Sequence, residues 1–208
     1  MARKSEQRRQ AILDATLDEF ESKGFSEARI EDIAKRAGVA KGTVYNYFES
    51  KEALLMGLAD EIGVLMHGNL VKLTDAGSLS FRERVEQLTA PVLEGEGRGR
   101  LARILRVVWS EGLHRPALTR PIFEKFFVPI FSQGGLMTNF VGEADLPPVI
   151  KRYPFLLAAP LIQGILWQTL IGEMAPLDLN AVYREYLDFV LGPKAAGDGT
   201  APEEGADQ

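Results

Sequence analysis

Between residues 41 and 51 the sequence reads KGTVYNYFESK, which gathers Lys41, Gly42, Thr43, Tyr45, Asn46, Tyr47 and Lys51 into one short run. These residues offer hydrogen-bond donors, a cation near a helix start and flat aromatic hydroxyls, a set that suits phosphate oxygens and base edges in a major groove. Glycine at 42 fits the same chemistry, because a side chain there would hold the backbone away from the bases. The spacing also occurs in ordinary helical bundles, where Tyr45 and Tyr47 would be rim packing.

The elements that must carry this run are helical. In SEQRRQAILDATLDEFESKGF, Ile12, Leu13, Ala15, Thr16, Leu17 and Phe20 fall on one face, with Gly24 as the C-terminal stop. A short second helix over about 29–36 turns Ile30, Ile33, Ala34 and Ala37 inward and ends at Gly38. The turn GVA then leads to a third helix from Lys41 to Phe48. Two short helices joined by a glycine-containing turn form the helix-turn-helix signature. Ile33, Ala34, Ala37, Val39, Val44 and Phe48 pack the pair against the first helix.

Ser50 is the expected N-cap of a fourth helix reaching at least His67. Beyond a loop at 74–80 come a fifth helix over Phe81–Leu93, a break at GEGRG (95–99) and a sixth helix from Arg100 to about His114. The sixth has Leu101, Ile104, Leu105, Val108 and Leu113 on its apolar side. A proline-punctuated aromatic stretch, IFEKFFVPIF, follows. Next come an uncharged helix over about 153–172 and a last helix over about 179–191, capped by Asn180 and stopped by Gly192. No strand alternation and no internal repeat is present, so the fold class is all-α.

Composition narrows the functions. The 208 residues contain no cysteine, which removes disulfides, thiol catalysis and zinc–cysteine sites. The net charge of -5 is uneven: residues 1–51 hold ten Lys and Arg against nine Asp and Glu, and the remainder fourteen against twenty. A basic face on the N-terminal part is what phosphate contact requires. The basic start MARKSEQRRQ has no apolar signal core behind it, so the expected location is cytoplasmic. From Tyr153 to Gly172 no residue is charged, nearly the ~20 apolar residues of a membrane span. Pro154, Pro160, Gln163, Gly164 and Gln168 interrupt it, and a buried or dimer-seam helix is expected, with no membrane partner.

IEDIAKRAGVAKGTVYNYFESKEALL, preceded by Gly24-Phe25, closely resembles the N-terminal domain of the tetracycline-repressor-like (TetR) family of bacterial transcriptional regulators. The likeness covers about residues 8–58. It implies an all-α homodimer with an N-terminal three-helix helix-turn-helix domain (1–51) and a larger helical ligand-binding and dimerisation domain (52–192); residues 193–208, rich in Gly, Ala, Pro and acid, are expected from composition to be a disordered tail. It implies base reading by Lys41, Gly42, Tyr45 and Asn46, phosphate contact by Thr43, Tyr47 and Lys51, and repression of a double-stranded DNA operator. Three positions depart from the family's pattern. Ala40 stands where Ser or Thr is common before the third helix, a lost cap of about 1 kcal/mol. Ala28 and Arg29 stand where Thr and Ser are usual, and Arg29 would replace a hydroxyl contact with a charged one, raising salt dependence.

In the larger part the expectations are physical. One reader contacts one half-site, so a dimer must space two of them by about 34–36 Å. The last two helices are the expected seam, with Leu161, Ile165, Gln168, Tyr183, Tyr186 and Leu187 toward the partner. Met66, His67, Leu105, Trp109, Phe123, Phe127 and Phe131 are the expected lining of a pocket for a small apolar or aromatic effector, with Phe126 in the same cluster and Glu111, His114 or Gln163 as polar fixings. Effector binding would shift the fourth helix and so the spacing of the recognition helices.

An enzyme is not expected. His67 and His114 sit on separate helices without partner patterns, no metal spacing exists, and GEGRG lacks the strand and the Lys-Ser or Lys-Thr ending of a phosphate loop. No cofactor is expected. The rival from another class is a protein-binding helical adaptor that does not read DNA.

Overall fold

The computed structural model describes residues 2–74, 76–93, 97–132, 134–142 and 146–193. Of the expected disordered tail only Pro193 lies among them. Every regular element among the described residues is helical.

Helix α1 (Ala2–Glu27) bends at Gly24, whose φ of 76° only glycine adopts freely. The bend turns Phe25 back onto Phe20, ring centroids 5.3 Å apart. Helix α2 (Ile30–Arg36), a turn through Gly38 and helix α3 (Lys41–Tyr47) follow within a residue of the expected bounds. Ile12, Leu13, Leu17, Ile33, Val44 and Phe48 make their common core. That core continues through Leu54, Leu55 and Leu58 of α4 (Lys51–Thr74) and Leu101, Ile104 and Val108 of α6 (Gly97–His114).

The start of α4 is capped as expected, with the Ala53 N–H donating to Ser50 Oγ at 3.1 Å. Helix α5 (Phe81–Leu93) has the expected bounds and a reciprocal cap, in which the Ser80 N–H donates to Glu83 Oε2 at 2.8 Å and the Glu83 N–H to Ser80 Oγ at 3.3 Å. Of the expected break at 95–99, residues 95 and 96 lie outside the described residues, and Gly97 already opens α6. Leu113 is a correction: it is 85% exposed, because it lies past the end of the face that packs on α1 and α4.

The aromatic stretch forms a nearly continuous run: α7 (Pro116–Ile122), a π-helical turn over Phe123–Phe127 and α8 (Val128–Phe131). After α9 (Leu136–Val141) and α10 (Pro148–Arg152), the expected single helix at 153–172 is divided. Pro154–Ala158 is a 3-10 turn, and α11 (Ala159–Ile171) begins with Pro160 in its first turn. Proline lacks the N–H an inner helical turn needs, so Pro154 and Pro160 each sit at the start of one of the two pieces. Helix α12 (Leu179–Leu191) is capped by Asp178, which accepts from the Ala181 N–H at 3.0 Å, rather than by Asn180, whose amide points toward the Leu93 carbonyl at 3.4 Å. Phe140, Ile150, Leu161, Tyr183 and Leu187 form a second core with the far end of α4.

Candidate DNA-binding face and effector cavity

Helix α3 presents Lys41, Gly42, Tyr45 and Asn46 to solvent while Val44 is fully buried beneath them. Tyr45 is 45% exposed, and Asn46 makes no side-chain hydrogen bond among the described residues. A Cβ built on Gly42 would meet no atom within 4 Å, so packing within the protomer does not require glycine there. Lys41 is ion-paired with Glu31 of α2, and its Nζ lies 5.9 Å from the Tyr45 ring centroid. The hydrogen bond from Lys41 holds the Glu31 carboxyl below its ordinary range, and the same bond raises Lys41, so both stay charged near neutrality. Thr43 and Tyr47 are half-buried, and the Tyr47 hydroxyl lies 3.1 Å from Ser5 Oγ.

That contact sets the first turns of α1 beside α3, and with them exposed Arg3, Lys4 and Arg8. These three are not among the contacts expected from sequence, although the basic opening decapeptide carries the signal for them. Arg29, exposed at the N-cap of α2, makes no side-chain cap bond.

Lys51 has a different situation from the rest. Its ammonium donates to the carbonyls of Phe25 at 2.6 Å, Ser26 at 2.9 Å and Ala28 at 3.0 Å, and lies 4.8 Å from the Phe25 ring centroid. A lysine has three donors and all three are used. Lys51 therefore brackets the end of α1 to the start of α4. Lys51→Met is expected to lower unfolding free energy by about 1–3 kcal/mol, because it strands carbonyls that a charged donor satisfies. Urea denaturation followed by circular dichroism checks this.

A cavity of about 110 Å³ opens between α4, α5, α6, α8, α9, α11 and α12. Of the expected lining, Met66, Leu105, Trp109, Phe127 and Phe131 are on its wall. Phe127 and Phe131 stack there at 6.1 Å between centroids. Two expected residues are corrected. His67 is exposed, one position off the Ile62, Met66 and Asn69 stripe of α4 that faces the cavity. Phe123 packs behind the wall, 5.1 Å from Phe127 between centroids, because the wider π turn rotates it toward α6. Phe126 is likewise directed away, filling a notch at Gly63 of α4, where a Cβ would lie 2.0 Å from the ring.

The expected polar fixings are also replaced. Glu111 is buried, and its Oε1 accepts the Phe25 N–H at 3.1 Å; His114 and Gln163 are exposed. The polar groups on the wall are Asn69, Thr89, Trp109 and Tyr183, of which only Trp109 is expected from sequence. Burial holds the Tyr183 phenol well above its ordinary range, so it is neutral and its hydroxyl donates to the Leu157 carbonyl at 3.1 Å.

Helix α6 has two working faces. Leu101, Leu105 and Trp109, four residues apart, line the cavity. On the other side Arg100 reaches Asp14 at 2.7 Å and Glu61 at 2.7 Å, Arg103 reaches Asp18 and Glu21 at 2.6 Å, and Arg106 reaches Glu21 at 2.9 Å. Arg115 adds contacts to Ser26 and Glu111. The cavity wall and the bent end of α1 are thus two sides of one rigid element.

The expected partner-facing set needs correction. Leu161, Ile165, Tyr183 and Leu187 are at most 4% exposed in a single protomer, because Leu161, Tyr183 and Leu187 point into its second core and Ile165 into the first. Gln168 is exposed but donates to the Leu177 carbonyl at 3.1 Å, and the Tyr186 hydroxyl donates to the Leu156 carbonyl at 2.7 Å. The same two helices instead expose Ile162, Trp167 and Leu170 on α11 and Val182 and Phe189 on α12, with Leu170 74% and Phe189 87% exposed. Lys51–Thr74 and Pro154–Ile171 are both long and apolar enough to cross a membrane by length and composition alone. For α4 the two cores account for that character. Among the described residues no group of three or more His, Asp or Glu side chains could hold a metal ion.

A two-helix reader with an open recognition face, joined by α4 and α6 to a cavity-bearing helical body, defines a helix-turn-helix transcriptional regulator. Residues 12–57 match the family model described as bacterial regulatory proteins, tetR family. Over 198 residues the chain is 27% identical to the HTH-type transcriptional regulator BetI of Paraburkholderia phymatum, covering 92% of this chain and 96% of that one. The fold is shared with FadR of Bacillus subtilis, solved with stearoyl-CoA, at a TM-score of 0.61 and 19% identity over 89% of this chain and 99% of that one. It is shared also with a transcriptional regulator from Saccharomonospora viridis solved with choline, at a TM-score of 0.59 and 20% identity over 87% and 94%. Residues 12–57 thus carry a tetR-family DNA-binding domain, and over most of its length the chain is similar to DNA-binding transcriptional regulators of that family, which are not enzymes.

Proposed function

We propose that the protein is a cytoplasmic, homodimeric repressor that binds a palindromic operator and is released by a small, mostly apolar effector. The observation that carries the DNA reading is the face of α3, where Lys41, Gly42, Tyr45 and Asn46 are exposed over a buried Val44 and Gly42 has open space around it. Arg3, Lys4, Arg8 and Arg29 supply phosphate contacts on either side, Thr43 and Tyr47 contribute from the rim, and Lys41 exchanges Glu31 for DNA on binding. Lys51 acts through the bracket it forms.

Gly42→Ala separates function from fold. Alanine in a helix is favoured over glycine by about 0.5–1 kcal/mol, and nothing in the protomer obstructs its methyl group, so thermal stability is expected to hold or rise. Operator affinity is expected to fall about tenfold, because the methyl group holds the backbone off the bases. A variant that is stabilised and binds with undiminished affinity contradicts the assignment of α3.

Dimerisation by the exposed apolar strip of α11 and α12 sets the two readers on successive turns of DNA. Effector release follows from the same framework: α4 and α6 both line the cavity, α4 begins at the Lys51 bracket, and α6 grips α1 through Arg100, Arg103, Arg106 and Glu111. An effector that binds better with α4 and α6 displaced shifts the population away from the operator-competent spacing. The ligands of the two solved relatives, stearoyl-CoA and choline, support a small-molecule site in this body without naming the one used here.

A further inference from the structure

We propose that the π turn over Phe123–Phe127 carries occupancy of the cavity to α4, with Phe126 as the positioning residue that holds α4 in its operator-binding place. The proposal rests on the cavity being the effector site and adds the part that transmits its filling.

The turn has a local cause. Pro129 has no N–H to give the Lys125 carbonyl, and its ring crowds that carbonyl in a regular α turn. The chain widens instead, and the Val128 N–H donates to the Phe123 carbonyl five residues back. Three neighbouring side chains of this stretch then have three tasks. Lys125 pairs with Asp60 of α4 at 2.6 Å, and its ammonium lies 4.8 Å from the Phe126 ring centroid. Phe126 fills the notch at Gly63, three residues further along α4, where a Cβ would overlap the ring. Phe127 stands in the cavity wall.

Behind Phe127 lies a second, apolar void of about 10 Å³, bounded in part by Gly63 and Phe126. Ile62, Met66, Leu105 and Phe127 line both spaces and so form the partition between them. The void lets the Phe127 ring give way, but it is far smaller than a phenyl group, so a ligand that displaces this ring displaces Phe126 with it. Phe126 cannot absorb the movement, because its ring already occupies the space that a methyl group on Gly63 would need. The remaining freedom is in α4, which begins at the Lys51 bracket beside the reader. Packed elements of this kind move between discrete arrangements rather than deforming continuously. With the ring seated, α4 is in place; with the ring unseated, α4 and the reader are displaced.

The test uses the full-length protein with Lys35, exposed on α2, replaced by cysteine. The chain contains no other cysteine, so a spin label there reports the spacing of the two readers of the dimer by double electron–electron resonance. Operator affinity is measured on the unlabelled chains. Gly63→Ala puts a methyl group where the Phe126 ring sits, and is expected to change the label spacing and weaken operator binding about tenfold. Adding Phe126→Ala, or Phe126→Leu should that chain not fold, removes the overlap and is expected to restore both. Ala158→Phe tethers a ring inside the cavity, and Val92→Phe does so from α5 if the first does not fold. The tethered ring is expected to reproduce the Gly63→Ala spacing when Phe126 is present and to lose that effect when it is alanine. Unchanged spacing and affinity in Gly63→Ala, or an effect that the Phe126 substitution does not relieve, overturns the proposal. A tethered ring that acts equally with and without Phe126 also overturns it, while leaving the cavity as the effector site. A tethered ring that does nothing in a chain where Gly63→Ala is effective ends the cavity reading, and the proposal with it.

Discussion

Alanine at both Tyr45 and Asn46 is expected to lower affinity for the operator by about a hundredfold while leaving the protein folded and dimeric. Each side chain that reads a base edge contributes about 1–3 kcal/mol of discrimination, and the two together correspond to that loss. Stability is expected to change by no more than about 0.5 kcal/mol, because Tyr45 is 45% exposed and the Asn46 side chain has no hydrogen-bond partner among the described residues. Neither residue carries charge, so the dependence of affinity on salt keeps its slope. Replacing Arg3, Lys4 and Arg8 with glutamine is expected to flatten that slope by about 0.9 for each phosphate that is no longer neutralised. Fluorescence anisotropy with labelled operator at several salt concentrations separates the two effects. A double alanine variant that keeps its affinity would move base reading away from α3.

Glutamate at Leu170 and Phe189 is expected to convert the dimer to a 23.0 kDa monomer, read by sedimentation. These side chains are 74% and 87% exposed in the protomer, so charges there cost the monomer little and would repel across the proposed two-fold seam. Operator affinity falls with the dimer, by at least about a hundredfold, because the two half-sites are no longer bound by one molecule. Alanine at Leu161 or Leu187 behaves differently. Both are buried in the second core, so the expected result is a loss of about 2–5 kcal/mol of folding stability. A double glutamate variant that remains dimeric would place the seam elsewhere on the surface.

The DNA-binding end is legible in the sequence because its helices are short, separated by glycine and packed on one side only. Periodicity therefore names Ile33, Val44 and Phe48 as core and leaves Lys41, Tyr45 and Asn46 outside, as the burial bears out. The bracketing by Lys51 is not legible, because its partners are carbonyls at the bend of α1, twenty-three to twenty-six residues earlier, which no local pattern encodes.

The larger body is harder for a physical reason. Helix α11 is apolar on every side, so sequence alone does not distinguish the face toward its own core, Leu161 and Ile165, from the exposed face carrying Ile162 and Leu170. The cavity is half legible. Leu105, Trp109, Phe127 and Phe131 stand out as local aromatic and aliphatic spacing, whereas Asn69, Thr89 and Tyr183 arrive from three distant helices. Phe123 falls outside the wall because a π turn adds a residue to the register, and proline-rich spacing alone does not reveal which turn widens.

The most direct measurement is selection of bound duplexes from a random DNA pool by the purified full-length protein, with the Tyr45→Ala, Asn46→Ala variant run alongside. Recovery of a palindrome that the variant fails to enrich is the predicted result. Recovery of no motif by folded, dimeric protein at moderate salt would contradict the account and favour a helical adaptor that binds another protein through the same face.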